Sequence, residues 1–243
     1  MYQFEYVPSR EYKPVQNQLF KLIRLIQNEV RDYFTFQYRF IGSSSRKMIT
    51  CDRKNNIGYD FDVNFIINDI DNQFTPKQIK NILINAFNKH KDKFKYNKIE
   101  DSKRVITIKV VDRKISKILH GCDVAIVKNH IDDGYKYQEY IYHDKKKHTY
   151  EWKKQPDGFY NLPNREKWIK DNKLWEEVRN CYLDIKNENT NPNKKSCSLY
   201  AEAVNNIYNI YNLSNIKKSK EKEEAQRSYL YNIWDMFNPY KIY

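Results

Sequence analysis

Two aspartates stand within an apolar run of the sequence, Y-D-F-D-V-N-F-I-I, and they are the residues best suited to chemistry. Asp60 and Asp62 are separated by a single apolar residue. Because alternate residues of a β-strand point to the same side, both carboxylates would face one way. Paired carboxylates on a rigid strand are typical ligands of hard cations and occur in two-metal phosphoryl transfer. The alternative for this pair alone is a strand face exposed to solvent.

Two further segments contain residue types that suit the same chemistry. The strand-like segment F-I-G-S ends in Gly42 and Ser43, and a turn of small residues lets backbone N–H groups and a hydroxyl approach phosphate oxygens. Asp123 lies inside another apolar run, G-C-D-V-A-I-V, where a buried aspartate needs a compensating partner or a metal ion. The sequence thus combines a glycine–serine turn, an aspartate pair and a third aspartate on a later strand.

The periodicity of the first two thirds predicts strands with helices among them. Apolar residues at three- and four-residue steps predict a helix over residues 14–34 with Pro14 near its first turn. Thr75 as N-cap and Pro76 at the first helical position predict a second helix, ending near His90. Strands are predicted at 36–41, 59–67, 104–111 and 122–127, a turn at 42–45 and a loop at 46–58.

The remaining third is predicted to be mainly helical. Residues 135–152 resemble a β-hairpin with a charged turn at Asp144–Lys147, and residues 155–164 have loop composition, with Asn164 as a helix cap. Helices are predicted at 165–186 and 198–213, followed by a third, Lys/Glu-rich helix. We therefore predict an α+β fold, with a small mixed sheet and flanking helices in residues 1–160 and a helical domain in residues 161–243.

The aromatic residues of the predicted hairpin have two interpretations. They could stack on nucleic-acid bases, or they could pack across the two strands, which is the more common arrangement. These residues are Tyr135, Tyr137, Tyr140, Tyr142 and Tyr150. The tryptophans of the helical third recur at helical spacing and are predicted to lie in its core: Trp168, Trp175 and Trp234.

Composition restricts the partner and the compartment. The net charge of +13 permits a polyanionic ligand, either a nucleoside triphosphate or RNA. Only 11 of the 44 basic residues are Arg, so an AT-rich genome would also explain the bias. The four cysteines lie apart and form no zinc-binding spacing with the histidines. No secretory leader or membrane-spanning run is evident, which predicts a cytoplasmic protein without a membrane partner.

Taken together, the motifs resemble the signature of the DNA polymerase beta-like nucleotidyltransferase superfamily. The matching segments are F-I-G-S (40–43), Y-D-F-D-V (59–63) and C-D-V (122–124). The resemblance is closest to the branch of oligoadenylate synthetases, cyclic GMP-AMP synthase and their bacterial CD-NTase relatives, which also have a helix before the first strand and a helical C-terminal half. Sixteen residues separate Ser43 from Asp60, so the intervening loop is longer than is usual in the family.

The resemblance implies roles for the residues that match. Asp60, Asp62 and Asp123 would be the catalytic carboxylates and would bind two Mg²⁺ ions, with Mn²⁺ as the alternative ion; Asp123 could also accept a proton. In that branch a lysine of a C-terminal helix and a following serine- and tyrosine-bearing helix start lie near the triphosphate. The implied nucleotide-binding residues are Gly42, Ser43, Lys186 and Ser198.

Four basic residues of the long loop are open to two interpretations. They could contact an acceptor or an incoming phosphate, or they could be an exposed basic loop, which we favour. These residues are Arg46, Lys47, Arg53 and Lys54.

The function that the resemblance implies is transfer of a nucleoside monophosphate from a triphosphate to a hydroxyl group. The acceptor would be a nucleotide, as in oligonucleotide or cyclic-nucleotide synthesis for bacterial antiviral signalling. Addition to RNA or tRNA ends is an alternative that the basic charge permits. A catalytically silent RNA- or nucleotide-binding module is a second alternative, although all three acidic positions are intact. A basic structural protein with incidental aspartates is the third.

Overall fold

The aspartate pair lies on the second strand of a mixed β-sheet. A computed structural model describes residues 2–69, 72–112, 114, 117–156 and 161–236. The chain divides into two units, Met1–Gly158 and Phe159–Tyr243. In chain order the first unit contains β1 (Glu5–Tyr6), α1 (Ser9–Val30), β2 (Thr35–Ile41), α2 (Gly42–Arg46), β3 (Thr50–Cys51), β4 (Tyr59–Asn68), α3 (Pro76–His90), a 3-10 turn (Lys91–Phe94), β5 (Lys98–Asp101), β6 (Val105–Asp112), β7 (Lys117–Asp132), β8 (Tyr135–Asp144) and β9 (Thr149–Lys154).

Seven of these strands form one sheet. Their order is β2-β4-β7-β6-β5, with β8 paired to the C-terminal part of β7 and β9 paired to β8. Strands β4 and β7 are parallel, and the other pairings in this sheet are antiparallel. The predicted α+β class with a mixed sheet and flanking helices is confirmed.

Strand β4 has one buried face. Phe61, Val63 and Phe65 are fully buried and belong to the same apolar core as the inner faces of α1 and α3. Phe65 stacks on Phe36 of β2 at 4.2 Å and on Phe87 of α3 at 6.1 Å between ring centroids. Burial of large aromatic side chains therefore determines which face of β4 points inward, and residues 60 and 62 must point the other way.

The two predicted helices of this unit are confirmed, but both boundaries of the first are corrected, since α1 covers Ser9–Val30 rather than residues 14–34. Helix α3 begins as predicted, because Thr75 and Gln78 form a reciprocal capping box with Pro76 at the first position. Helix α1 begins earlier than predicted, at Ser9, so Pro14 lies inside it rather than near its first turn. Only the Arg10 carbonyl loses its helical partner there, and the buried Leu19, Leu22 and Ile23 stabilise the helix.

The segment between β2 and β4 is more ordered than a loop. The predicted turn at 42–45 is the short helix α2, and β3 pairs with β1 beside it. Asp52 is fully buried and accepts hydrogen bonds from the main-chain N–H groups of Gln3 and Asn55 at 2.8 and 2.9 Å. The sequence pattern missed β1 and β3 because each has two residues, too few for a period to be visible.

The second unit is helical, but its helix boundaries differ from the prediction. It contains α4 (Asn161–Asp171), α5 (Trp175–Glu188) and α6 (Ser196–Met236). The predicted helix 165–186 is interrupted at Asn172–Leu174, where Lys173 has a φ of 59°. Asn164 lies inside α4 and is not a cap, and the two last predicted helices are one continuous helix. Propensity alone does not locate such breaks, since tertiary packing decides whether a helix continues.

The core of the second unit contains apolar residues from all three helices. The buried residues include Ile169 of α4, Val178 and Tyr182 of α5, and Val204 of α6. Trp168 is half-buried and meets Tyr208 edge to face at 5.1 Å. Trp175 is also half-buried, so these two predicted core tryptophans lie at its margin, and the side chain of Trp234 lies outside the described part.

Among the helices that the structure describes, none combines the length and apolar character needed to cross a membrane.

Gly58, immediately before β4, lies against the main chain of β7. A Cβ atom at residue 58 would lie 2.2 Å from the Ile118 carbonyl oxygen and 2.5 Å from that of Leu119, and main-chain atoms cannot rotate away. We expect Gly58→Ala to lower the free energy of unfolding by about 3 kcal/mol, the upper part of the range for overpacking. Urea unfolding followed by circular dichroism measures this change.

The matched control is Gly134→Ala, in the β7–β8 turn. Gly134 has a φ of 80° and open space around it, so only the backbone preference is lost, at about 1 kcal/mol. Equal costs for the two substitutions would contradict the close packing at Gly58.

His120, at the start of β7, should make stability depend on pH. Its ring stacks on Tyr59 and meets Tyr96 edge to face, and burial lowers its pKa from 6.5 to about 4. The fold therefore favours the neutral ring: its contribution is complete above pH 6.5 and is lost as the pH falls towards 4. We expect a loss of roughly 2–3 kcal/mol from this residue, since one pKa unit corresponds to about 1.4 kcal/mol.

Urea unfolding between pH 7 and pH 4 tests this expectation. His120→Phe keeps the aromatic packing and cannot be protonated, so it should flatten the profile by that amount. The exposed His148, replaced by Asn, provides the control and should leave the profile unchanged. If His120→Phe has the same profile as the wild type, the residue does not cause the pH dependence.

Candidate active site

The predicted aspartate pair lies on the face of β4 opposite its buried aromatic residues. Asp60 is exposed and Asp62 is half-buried, while Phe61 between them has no exposed surface. The two carboxylates thus share one face, as the alternation of the sequence predicts.

The third aspartate lies beside this pair because β4 and β7 are parallel. In their register Asp62 is the partner of Asp123, and Asp60 is the partner of Gly121. Partners in neighbouring strands point to the same face of a sheet, so Asp123 joins the pair. On its other side, Asp123 is the register partner of Thr107 in β6, whose hydroxyl donates a 2.6 Å hydrogen bond to Asp123 Oδ1.

The glycine–serine turn also lies against the pair. Ile41, the last residue of β2, is the register partner of Asp62. Gly42 follows it and has a φ of 61°. A Cβ atom at residue 42 would lie 2.5 Å from Asp62 Oδ2, so only glycine permits this close approach. The carbonyl of Ser43 accepts hydrogen bonds from the N–H groups of Lys47 and Met48, and these bonds end the short helix α2.

Three further residues contact the aspartates, through the main chain or the carboxylate, and are not predicted by the motifs: Ser44, Thr107 and Gly121. Ser44 is buried, and its hydroxyl oxygen accepts a 3.2 Å hydrogen bond from the main-chain N–H of Asp62. A Cβ atom at Gly121 would lie 2.4 Å from Asp60 Oδ1. Ser44 and Gly121 are adjacent to motif residues, which is the only available signal; Thr107 has none, because its contact depends on strand register.

The three carboxylates also affect a buried thiol on the opposite face of the sheet. Cys122 is completely buried, and burial raises its pKa well above the usual value, with further contributions from Asp123, Asp62 and Asp60. Three carboxylates on one face give this end of β4 and β7 a local negative charge. A cation would be attracted to the same place.

The donor set fits a hard divalent cation. Carboxylate oxygens are the ligands that Mg²⁺ prefers, and three are available on one sheet face beside a glycine turn. In the described part of the chain, however, no three His, Cys, Asp or Glu side chains are already gathered as a metal cluster. Like charges repel without a cation between them. The predicted binding of Mg²⁺ or Mn²⁺ by Asp60, Asp62 and Asp123 stays a prediction.

The basic residues of the long loop do not act as one group. Arg53 forms ion pairs with Glu5 and Glu11, with Nη2 at 2.8 Å from Glu11 Oε2, so it fastens the loop to β1 and α1. Arg46 ends α2 and Lys47 follows it, close in sequence to the glycine turn, while Lys54 is exposed. Arg53 therefore has a structural partner.

The two predicted nucleotide-binding residues of the helical third lie in the second unit. Lys186, in the last turn of α5, has its Nζ 3.4 Å from both the Tyr182 hydroxyl and the Ser196 hydroxyl. Ser198 is exposed in the first turn of α6, and its N–H donates to the Lys195 carbonyl at 2.9 Å. The serine that contacts Lys186 is thus Ser196, and the predicted roles of Lys186 and Ser198 in nucleotide binding stay predictions.

The predicted hairpin is confirmed as β8 and β9, and most of its aromatic residues pack against neighbouring side chains, whereas Tyr135 is exposed. Tyr137 stacks on its cross-strand partner His130 at 4.8 Å, and Tyr150 stacks on His143 at 4.1 Å. Tyr140 is buried. These contacts favour the packing interpretation over a base-stacking platform.

Comparison with known proteins shows the fold. No protein-family model and no curated protein matches the sequence. Among solved structures, the CD-NTase CdnG of Bradyrhizobium diazoefficiens in complex with GTP is similar, with a TM-score of 0.57 and 13% identity over 82% of this chain and 66% of that chain. The cyclic AMP-GMP synthase DncV of Vibrio cholerae in complex with nonhydrolyzable GTP has a TM-score of 0.50 and 14% identity over 78% of this chain and 51% of that chain.

This chain thus spans between 51% and 66% of the length of those structures. At such low identity the likeness is one of fold, and it agrees with the branch that the three sequence motifs resemble. The chain has the nucleotidyltransferase fold of the bacterial CD-NTases.

Proposed function

We propose that the protein is a Mg²⁺-dependent nucleotidyltransferase that transfers a nucleoside monophosphate from a triphosphate to the hydroxyl of a nucleotide. The observation that supports this most is the β4–β7 register, which gathers Asp60, Asp62 and Asp123 on one face beside the Gly42 turn. The similar structures CdnG and DncV are complexes with GTP or an analogue, and DncV is a cyclic AMP-GMP synthase, which supports a nucleotide as substrate. Oligonucleotide or cyclic-nucleotide synthesis follows as the proposed reaction.

In the proposed reaction, the acceptor hydroxyl oxygen attacks the α-phosphorus of the triphosphate. A new P–O bond forms, the bond to the β-phosphate bridging oxygen breaks, and pyrophosphate leaves with the electron pair. Asp60, Asp62 and Asp123 would hold two Mg²⁺ ions, which when bound neutralise the triphosphate charge and make the acceptor hydroxyl more acidic. The Asp123 carboxylate receives a hydrogen bond from the Thr107 hydroxyl, and it can accept the proton of the acceptor hydroxyl.

The glycine turn would position the phosphates. Because Gly42 has no side chain, the β2–α2 junction lies directly against Asp62. In the proposal, Ser43, the next residue, would contact a phosphate bound there. Lys186 adds a positive charge in the proposal, and Ser198 a hydroxyl, as their resemblance to the family implies. Both would bind the triphosphate rather than take part in bond making.

Labelled-nucleotide incubation tests the function. The protein is incubated with Mg²⁺ and each labelled triphosphate, with and without bulk tRNA, and pyrophosphate and labelled products are resolved. We expect Asp60→Asn/Asp62→Asn to lower pyrophosphate release at least a hundredfold, on the scale of about 10²–10³ by which preorganised electrostatic groups contribute. Asp132→Asn/Asp133→Asn removes the same charge from an exposed turn and should retain activity.

The product distinguishes the remaining alternatives. Small labelled products support signalling-nucleotide synthesis, whereas label on tRNA supports addition to RNA ends. Pyrophosphate release that the Asp60→Asn/Asp62→Asn variant retains, or no product with any triphosphate, would overturn the proposal and leave the binding-module alternative.

Gly121 provides an independent test of the geometry. Its replacement by Ala puts a Cβ atom 2.4 Å from Asp60 Oδ1, so the carboxylate must move. We expect Gly121→Ala to lower kcat by about tenfold to a hundredfold, because a misplacement near 1 Å can cost about 10²-fold. Steady-state pyrophosphate assays give kcat, and circular dichroism checks folding; Gly134→Ala is the control. Unchanged kcat in folded Gly121→Ala would show that the position of Asp60 does not matter.

A further inference from the structure

A chain of hydrogen-bonded polar groups, in which Thr107 and Lys80 are buried, ends at the third aspartate. Thr107 is 7% exposed, and its hydroxyl donates a 2.6 Å hydrogen bond to Asp123 Oδ1. The Thr107 hydroxyl also lies 3.3 Å from the hydroxyl of Ser102, in the turn between β5 and β6. A buried polar group such as the Thr107 hydroxyl is costly unless its hydrogen bonds are satisfied. The contact of Thr107 with Ser102 therefore matters as much as its contact with Asp123.

The chemistry of these groups gives the chain a direction. A carboxylate can only accept hydrogen bonds, so the single hydroxyl proton of Thr107 is committed to Asp123. The proton between Ser102 and Thr107 must then come from Ser102. The order of donation is therefore Ser102 to Thr107 to Asp123, and each hydroxyl is fixed in one rotamer.

Ser102 is itself held on its main chain. Its N–H donates to the Val105 carbonyl at 3.0 Å, and its carbonyl accepts a 2.6 Å hydrogen bond from Lys80 Nζ. Lys80 belongs to α3 and is 1% exposed. Its Nζ also lies 2.6 Å from Asp101 Oδ1, an ion pair that offsets the burial of the charge. The turn that carries Ser102 is thus attached to α3.

The hairpin of β8 and β9 holds the same turn from another side. The Tyr150 hydroxyl donates to Asp101 Oδ2 at 2.6 Å, and His143 stacks on the Tyr150 ring. The N–H of His143 donates to the carbonyl of Lys103 at 2.7 Å. Helix α3 and strands β8 and β9 therefore all contact a short turn, and the Ser102–Thr107 pair links the side chains of this turn to Asp123.

We propose that Thr107 is a positioning residue for Asp123, and that Ser102, Lys80 and Asp101 fix Thr107 in the donating orientation. This inference rests on the proposed function, in which Asp123 is a metal ligand and proton acceptor. With Oδ1 occupied by Thr107, Asp123 Oδ2 receives no hydrogen bond from the described residues. That oxygen is available to a cation or to the acceptor hydroxyl, and the carboxylate cannot rotate about its soft terminal torsion without losing the Thr107 bond.

Substitutions of Thr107 in the full chain test the inference. Thr107→Val keeps the shape and removes the donor, whereas Thr107→Ser keeps the donor. The probe is Mn²⁺, whose binding in the presence of a nonhydrolysable GTP analogue is measured from the electron paramagnetic resonance signal of the free ion. We expect Thr107→Val to weaken Mn²⁺ binding about tenfold or more, as outer partners of metal ligands typically contribute 10–100-fold. Thr107→Ser should stay close to the wild type.

A second readout separates positioning from folding. Thr107→Val should lower kcat and raise the Mg²⁺ concentration that gives half-maximal pyrophosphate release, with little change in KM for the triphosphate, because Thr107 faces the carboxylate. The melting temperature of Thr107→Ser, and of the exposed control Thr149→Val, should match that of the wild type. Ser102→Ala should produce a smaller effect in the same direction as Thr107→Val.

The outcomes distinguish this inference from the proposed function. Mn²⁺ binding that depends on Thr107, together with an absence of product, would support the positioning role and overturn the transferase proposal. If the wild type forms product, and Thr107→Val has the same activity and the same Mn²⁺ affinity as the wild type, the positioning role alone is overturned. The role is also overturned if Thr107→Ser is as impaired as Thr107→Val, or if the wild type binds no Mn²⁺.

Discussion

The parallel pairing of β4 with β7 is the constraint on which the candidate site depends. Residues of one face alternate along both strands, so a register shifted by a single residue would move Asp123 to the buried face and leave Asp60 and Asp62 without it. The register is held by the buried partners of the same strands, Phe61 with Cys122 and Val63 with Val124. Packing on one face of the sheet thus places the carboxylates on the other.

Close backbone approach is the second condition for this arrangement. Gly42 and Gly121 each occupy a place where a Cβ atom would lie within 2.5 Å of a carboxylate oxygen, and Gly58 lies as close to main-chain atoms of β7. Gly42 makes room for the Asp62 carboxylate, and Gly121 makes room for that of Asp60. Because the three acids repel one another, their proximity costs stability in the absence of a cation, and the hydrogen bond from Thr107 to Asp123 offsets part of that cost.

Where a structural signal was local, the sequence predicted it well. The Thr75–Pro76 start of α3 follows from capping chemistry within four residues, and the alternation of β4 follows from its own side chains. The failures have a different cause. The break at Lys173 and the continuous helix α6 depend on how helices pack, and β1 and β3 exist because they pair with each other across the chain. Residue patterns within a short window carry no record of such partners.

The sequence by itself determined the chemistry available to this protein: an aspartate pair with both carboxylates on one strand face, a glycine–serine turn and a third aspartate in an apolar run. Only the tertiary structure decided that Asp123 lies beside Asp62, that Thr107 donates to it, and that Gly121 makes room for Asp60. The physical reason is the difference between local and non-local order. Alternation along a strand is a property of the chain, whereas register between distant strands is set by which side chains fill a common core.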